Sequence, residues 1–306
     1  MLIECVANVS EGRDPAVLEA LAAAVRRIQG AGLADVHADP DHHRSVYTWL
    51  GAPSAVEAAA LALAATVVER VDMTRHQGAH PRLGALDVLP FVPLAGAAMA
   101  DAVALAHRVG RALASAHDLP VYYYGAAARR PERRRLPDVR RGQYEGLAAR
   151  LATPAGEPDE GPARFDPRAG AVTVGARDVL VAYNVWLAAD DLEAARAIAH
   201  AVGERSGGLP AVLAIGVRLA SRGVAAVAMN LVDHRVTSVP AAHDRVVAEA
   251  RRLGIDVTRA ELVGLVPDAA FAGRAPASVG LPDLTPAQRL DAHVARILAR
   301  CCGRIG

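Results

Sequence analysis

Residues 2–30, LIECVANVSEGRDPAVLEALAAAVRRIQG, decide the fold. Leu2 to Asn8 is a short apolar run that ends in polar and glycine residues. After it Leu18, Leu21, Val25 and Ile28 recur at helical spacing until Gly30, so the stretch reads as a strand followed by a helix. Downstream, Gly32 to His37, the polar turn HADPDHH and the alternating Arg44 to Leu50 predict two connected strands. Ser54 and Glu57 have capping-box spacing before an alanine-rich helix that runs to about Val71. A glycine-containing loop and the apolar strand Leu86 to Val92 complete the order βαββαβ. A further helix, Asp101 to Ala116, and a strand, Val121 to Tyr124, extend it.

Between Ala152 and Gly170, ATPAGEPDEGPARFDPRAG is dense in proline, glycine and charge, the signature of a linker or an ordered loop. From Asp178 the pattern restarts. A strand to Leu187 leads into a helix from Asp190 or Asp191, then strands Ala211 to Arg218 and Val224 to Leu231. A helix Ala241 to Leu253 closed by Gly254 and a strand Ile255 to Val263 give βαββαβ again. A last helix is expected from Pro286 to about Cys301. The fold class is therefore α/β in the broad sense (α+β), with two ferredoxin-like βαββαβ subdomains over residues 1–176 and 177–306. Each is expected to be a sheet covered by helices, with a cleft between the two as the natural site.

Composition sets bounds on function. Of 306 residues 52% are apolar and 22% charged, which suits a globular chain. The formal net charge is only +1 and every fixed cation is arginine, so any anion must be gathered locally. Cys5, Cys301 and Cys302 give neither a disulfide framework nor a metal spacing. The N-terminus lacks a signal pattern and no stretch reaches about 18 apolar residues, so a soluble cytoplasmic protein in a reducing compartment is expected, with no membrane partner.

Chemistry concentrates in TRHQGAHPRLGALD, residues 74–87, where histidines, arginines, glycines and a proline fit no packing pattern. His76 and His80 are four apart, but Gly78, Pro81 and Gly84 argue against the helix a zinc pair needs, so no metal is expected. HADPDHH would suit a metal site if His37, Asp39, Asp41, His42 and His43 converged, and otherwise reads as a polar turn capped by Asp with exposed histidines. Arg44, flush against the next strand, suits an oriented anion contact. The turn Asn8 to Gly12 offers backbone N–H groups to a carboxylate or simply caps a helix. Seven arginines lie in ARRPERRRLPDVRRG, residues 128–142. Without interleaved aromatics or a nucleic-acid motif, they read as a solvated loop or as a carboxylate-binding rim, and no nucleic-acid partner is expected.

These segments in this order, ECVANVSEG, RSVYTWLG, DMTRHQGAHPRLGALDVLPFVP, LPVYYYG, GPARFDPRAGAVTVGARD and LVGLVP, resemble glutamate formimidoyltransferase. They also resemble the transferase half of formimidoyltransferase-cyclodeaminase. The resemblance implies a folate channel between two α/β subdomains and transfer of a formimidoyl group from N-formimidoyl-L-glutamate to N5 of tetrahydrofolate, as in histidine degradation. Tetrahydrofolate would be a co-substrate, no metal would be required, and the product would pass to a separate cyclodeaminase. A homodimer is expected.

By the same resemblance His80 is the catalytic residue, and Gly161, Pro162, Ala163, Arg164, Phe165, Asp166, Pro167, Arg168, Ala169 and Gly170 are the folate-binding segment. Arg133, Arg140, Gly142 and Tyr144 match the pattern in the arginine-rich stretch. His43 departs from it, standing where asparagine is common. Arg82 is expected to hold a substrate carboxylate and Asp39 to face the amidinium, with Asn8, Arg44, Arg133, Arg140 and Asn184 as substrate contacts. Two other readings stay open: a transferase using formimidoylglycine or formylated glutamate, and a non-catalytic folate-binding or regulatory module.

Overall fold

The computed structural model describes residues 1–302, with the side chains of residues 300–302 excepted. The chain divides into two compact units, the first Met1–Arg177 and the second beginning at Asp178.

In the first unit the elements are β1 (Ile3–Val9), α1 (Pro15–Arg26), β2 (Ala31–Asp39), β3 (Arg44–Gly51), α2 (Pro53–Arg70), β4 (Leu86–Pro93), α3 (Met99–His117), β5 (Val121–Gly125), two short helices α4 (Leu136–Val139) and α5 (Leu147–Leu151), and β6 (Val172–Ala176). Asp14 caps α1, its Oδ1 accepting from Ala16 N and Val17 N, and Pro15 supplies the preset first turn. The expected capping box of α2 does not form. The helix starts one residue before Ser54, at Pro53, so Ser54 lies inside it, and the N-cap is Ala52 without a side-chain bond.

The sheet order is β2-β3-β1-β4-β6-β5. Its first four strands are antiparallel, in the arrangement the βαββαβ reading requires, while β4, β6 and β5 run parallel. β6 was not expected. It inserts between β4 and β5, so Ala152–Gly170 is an ordered excursion within the first unit, leading from the arginine-rich stretch back to the sheet. β4, β5 and β6 are buried along almost their whole lengths, which is why apolar and aromatic side chains dominate them. Trp49, Tyr47, Phe91 and Tyr123 fill the core between the sheet and α1, α2 and α3, each contributing about 1.5–3 kcal/mol or more of burial.

The second unit comprises β7 (Val181–Leu187), α6 (Leu192–Val202), β8 (Val212–Leu219), β9 (Val224–Leu231), α7 (Val239–Arg252), β10 (Val257–Val263) and α8 (Leu290–Cys302). Its order, β10-β7-β9-β8, is antiparallel throughout. Along β7 the burial alternates: Val181, Tyr183, Val185 and Leu187 face the helices, and Ala182, Asn184 and Trp186 the other side. Asp191 caps α6. The expected last helix begins as a 3-10 turn at Pro286–Gln288, and α8 follows from Leu290. Among the described residues no helix is long and apolar enough to cross a membrane.

One crossing positions everything that follows. Gly84, just before β4, forms an antiparallel bridge with Gly170, just before β6. Ala85 N donates to Ala169 O (2.8 Å) and Ala171 N to Leu83 O (3.2 Å). A Cβ on Gly84 would stand 2.4 Å from Ala169 O and 2.5 Å from Ala171 O, both backbone atoms that cannot yield cheaply. Gly84→Ala is therefore expected to destabilise the protein by about 1–3 kcal/mol through overpacking. Urea denaturation checks this, and an unchanged midpoint would show the crossing to be looser than described.

Candidate active site

His80 lies in the loop between α2 and β4. Backbone bonds to three neighbouring segments fix this loop, although it has little regular structure. Met73 N donates to Arg168 O (3.0 Å) and Ala79 N to Asp41 O (3.2 Å), while Ser10 binds it twice, through its N–H to Ala85 O (2.8 Å) and its hydroxyl to Gly84 O (2.7 Å). Gly78 packs so close to the β2–β3 turn that a Cβ there would lie 2.2 Å from His42 O. The sequence signature of a functional loop, glycines and proline among histidines, is here the signature of close backbone approach.

The partners of the His80 ring assign its tautomer. Nδ1 is 2.7 Å from Pro81 O, and a carbonyl only accepts, so Nδ1 carries the proton. Nε2 is 2.7 Å from Arg44 Nη1, and a guanidinium only donates, so Nε2 presents its lone pair. Burial, followed by the charges of Arg44 and Arg140, holds the pKa of this imidazole well below its ordinary 6.5. His80 is thus a neutral ring whose basic nitrogen meets a cation.

Arg44 opens β3 and Arg140 follows α4. Burial and the nearby charge of Arg140 push Arg44 down to about 9. Arg140 binds Asp87, a 1%-exposed acid on β4 whose other oxygen accepts from Leu83 N (2.8 Å). Even so, the Nε atoms of both Arg44 and Arg140 are buried without a hydrogen-bond partner. An unmet buried N–H costs about 1–3 kcal/mol, so an arriving carboxylate would recover that free energy. Two arginines beside a neutral imidazole are an arrangement suited in charge to an anion, with an unprotonated ring nitrogen next to it.

The surrounding residues brace this core. Asp39 is 5% exposed and turned onto its own turn, accepting from Asp41 N and His42 N (both 2.8 Å) and lying 3.0 Å from His42 Nδ1. It orients His42, whose ring centre is 5.9 Å from that of His80. His43 adopts a left-handed backbone (φ 48°), a conformation that asparagine tolerates well. Its ring stacks on His76 at 4.3 Å. His76 Nε2 donates to His43 O (2.8 Å), and its Nδ1 accepts from Arg82 Nε (3.2 Å). Arg82, 9% exposed, also holds Glu145 (2.7 Å) and lies over the Tyr144 ring. Beside them opens a cavity of about 660 Å³ lined by His76, Gln77, Arg82, Gln143, Tyr144 and Glu145 among others. Among the described residues no group of three or more histidine, cysteine, aspartate or glutamate side chains gathers as metal ligands would.

The structure brings the segment from Gly161 to Gly170 against this loop. Gly161 (φ 80°) passes Leu119 O closely, and Gly170 (φ 69°) makes the crossing with Gly84. Asp166 caps a turn by accepting from Arg168 N (2.8 Å). Phe165 leans on Tyr144 at 5.4 Å, and the Tyr144 hydroxyl donates to Pro167 O (2.5 Å). Ala163, Arg164, Asp166, Pro167 and Arg168 are exposed, Pro162 is half-buried, and Ala169 and Gly170 are buried. Asn8 is buried on β1 and donates to Val6 O (3.0 Å), and Asn184 lies in the second unit, on β7.

In the arginine-rich stretch Arg134 and Arg135 are exposed, while the other arginines pair with acids. Arg129 pairs with Glu160 (2.7 Å), Arg130 with Glu157 (3.0 Å), Arg133 with Asp159 (2.8 Å) and Arg141 with Asp138 (3.1 Å). Arg133 is 2% exposed and also donates to Glu157 O (2.6 Å), so it braces this part of the fold. Sequence reasoning left Asp87 and Glu145 without roles. Asp87 had a readable signal, an acid inside the apolar run LDVLPFV that must find a partner to be buried.

The family models described as "Formiminotransferase domain, N-terminal subdomain" and "Formiminotransferase domain" match residues 2–177 and 182–276. A formimidoyltransferase-cyclodeaminase of Gallus gallus is 42% identical over 88% of this chain and 51% of its own length. Glutamate formimidoyltransferases of Streptococcus pyogenes serotype M1 (38%, 87% of this chain) and Thermoplasma acidophilum (39%, 88%) are each covered over 89% of their length. The chain thus spans about half the length of the first of these relatives and most of the other two.

Proposed function

We propose a reaction from one premise, that the chain belongs to the formiminotransferase family. It is a transferase. In our reading it moves the formimidoyl group of N-formimidoyl-L-glutamate to N5 of tetrahydrofolate, giving 5-formimidoyltetrahydrofolate and L-glutamate in histidine degradation. The observation that carries this reading is the neutral His80 set against Arg44, with unpartnered buried Nε atoms on Arg44 and Arg140.

The chemistry follows from those groups. N5 attacks the amidine carbon, a C–N bond forms, and the carbon becomes tetrahedral. The N5 proton passes to His80 Nε2, the ring nitrogen that carries the lone pair. The same proton then goes to the glutamate nitrogen as its bond to carbon breaks, so one imidazole serves as base and then as acid. Arg44 and Arg140 hold donor carboxylates through charge-assisted bonds. The segment from Gly161 to Gly170 holds tetrahydrofolate, and its attachment to the His80 loop at Gly84 sets N5 against the imidazole. Arg82 and Asp39 act indirectly, by fixing His76 and His42.

Mixing the protein with tetrahydrofolate and formimidoylglutamate, formimidoylglycine or formylglutamate tests the reading. Turnover with formimidoylglutamate is expected. Turnover with another donor alone would change the substrate, and tetrahydrofolate binding without transfer would leave a binding module.

The pH profile gives a second expected result. Because burial and two arginines disfavour the imidazolium, His80 of the free enzyme stays basic in acid, and kcat/KM should begin to fall only below pH 6.5. An acid limb centred at 6.5 or higher would assign the base to another group.

A further inference from the structure

We infer that Arg44 caps His80 in the free enzyme and that a donor carboxylate withdraws the cap, freeing the Nε2 lone pair only when the donor is bound. The inference rests on the proposed transfer reaction for its purpose, and on geometry for its existence. The proton that the reaction must accept has one destination on the ring, since Nδ1 already carries a hydrogen bound to Pro81 O at 2.7 Å. That destination is occupied: Arg44 Nη1 lies 2.7 Å from Nε2 and donates into the lone pair.

The same guanidinium has a reason to leave. Its Nε is buried without a partner, as is the Nε of Arg140. A carboxylate presents two oxygens that match the Nε and Nη2 edge of a guanidinium, the edge away from the Nη1 that meets His80, and this stronger charge-assisted pair draws the guanidinium off its bond to the neutral imidazole. The groups facing His80 are Arg44 from β3, Arg140 after α4 and His42 from the β2–β3 turn, and Asp87 holds Arg140 in place. Arg44, which also touches His80 directly, is the one that a carboxylate can shift toward its own unmet donor. Arg44 is then a positioning residue: it couples occupation of the donor site to readiness of the base.

The test follows the His80 imidazole nitrogens by NMR in isotope-labelled wild-type protein, with glutarate as the probe. Without glutarate, Nε2 should report a neutral acceptor and titrate well below pH 6.5. Saturating glutarate should move the Nε2 resonance and raise the midpoint by about one pH unit or more, as an opposite charge arrives and the cap leaves. Arg44→Met should show the raised midpoint without glutarate and no further response to it. Glutarate that binds by calorimetry yet leaves Nε2 unmoved would overturn the cap, as would failure of glutarate to bind, or an unchanged midpoint in Arg44→Met. The wild-type titration decides the matter if the variant does not fold. A cap that responds to glutarate in a protein that transfers no formimidoyl group would remove the proposed reaction and leave the cap.

Discussion

His80→Ala should lower kcat by about 100- to 10,000-fold, the usual contribution of a general acid/base group, while the protein stays folded. The fold should survive because the ring is half-buried and makes two hydrogen bonds, one to its neighbour's carbonyl and one to Arg44. The loop itself is held by backbone bonds that the substitution does not touch, at Met73, Ala79, Ala85 and Ala171. His76→Ala makes the contrasting control. That ring links His43 O to Arg82, so its loss should weaken the loop and leave the chemical step closer to wild type. Rates from single-turnover mixing, with far-ultraviolet circular dichroism as the folding check, separate the two. Turnover of His80→Ala within about tenfold of wild type, well short of what a base contributes, would move the role elsewhere, with His42, whose ring centre is 5.9 Å from that of His80, as the next candidate.

Both βαββαβ repeats were legible because hydrophobic period reports which side of a strand or helix is inward, and each element here is long enough to show it. β6 was not legible. Val172–Ala176 is five residues beside a proline- and glycine-rich loop, and the strands that flank it, β4 and β5, are distant in sequence. For the site, composition alone pointed to residues 74–87, and the position of Arg44 at the start of a strand pointed to an anion contact. What composition could not supply was the partner. Arg44 meets His80 across 36 residues and Arg140 meets Asp87 across 53, and no local pattern encodes such pairings. The arginine-rich stretch shows the same limit from the other side. Its charge looked free because the acids that neutralise it, Glu157, Asp159 and Glu160, arrive only when the excursion before β6 folds back. Asp39 had the residue type for chemistry and the position for a turn, and the bonds it accepts from Asp41 N and His42 N are those of the turn.

Asp87→Asn should destabilise the protein by about 3–5 kcal/mol, the cost of breaking a buried ion pair from one side. Asp87 is 1% exposed and is the acid that binds Arg140, in a cluster where Arg44 and Arg140 already repel one another. Asparagine can still accept from Leu83 N, but toward Arg140 it offers either a neutral oxygen or an amide that donates against a donor. The bond from the Thr173 hydroxyl to Asp87 O (2.6 Å) is to the backbone and survives, so the loss isolates the charge. Arg140→Gln in the same background should recover part of the loss, because the stranded cation goes with it, and a double-mutant cycle in urea would measure the coupling. A single-variant loss below about 1 kcal/mol, typical of an exposed pair, would mean that water reaches Arg140. In that event the unmet Nε atoms would have a solvent partner, and the physical reason for the site to attract a carboxylate would weaken with it.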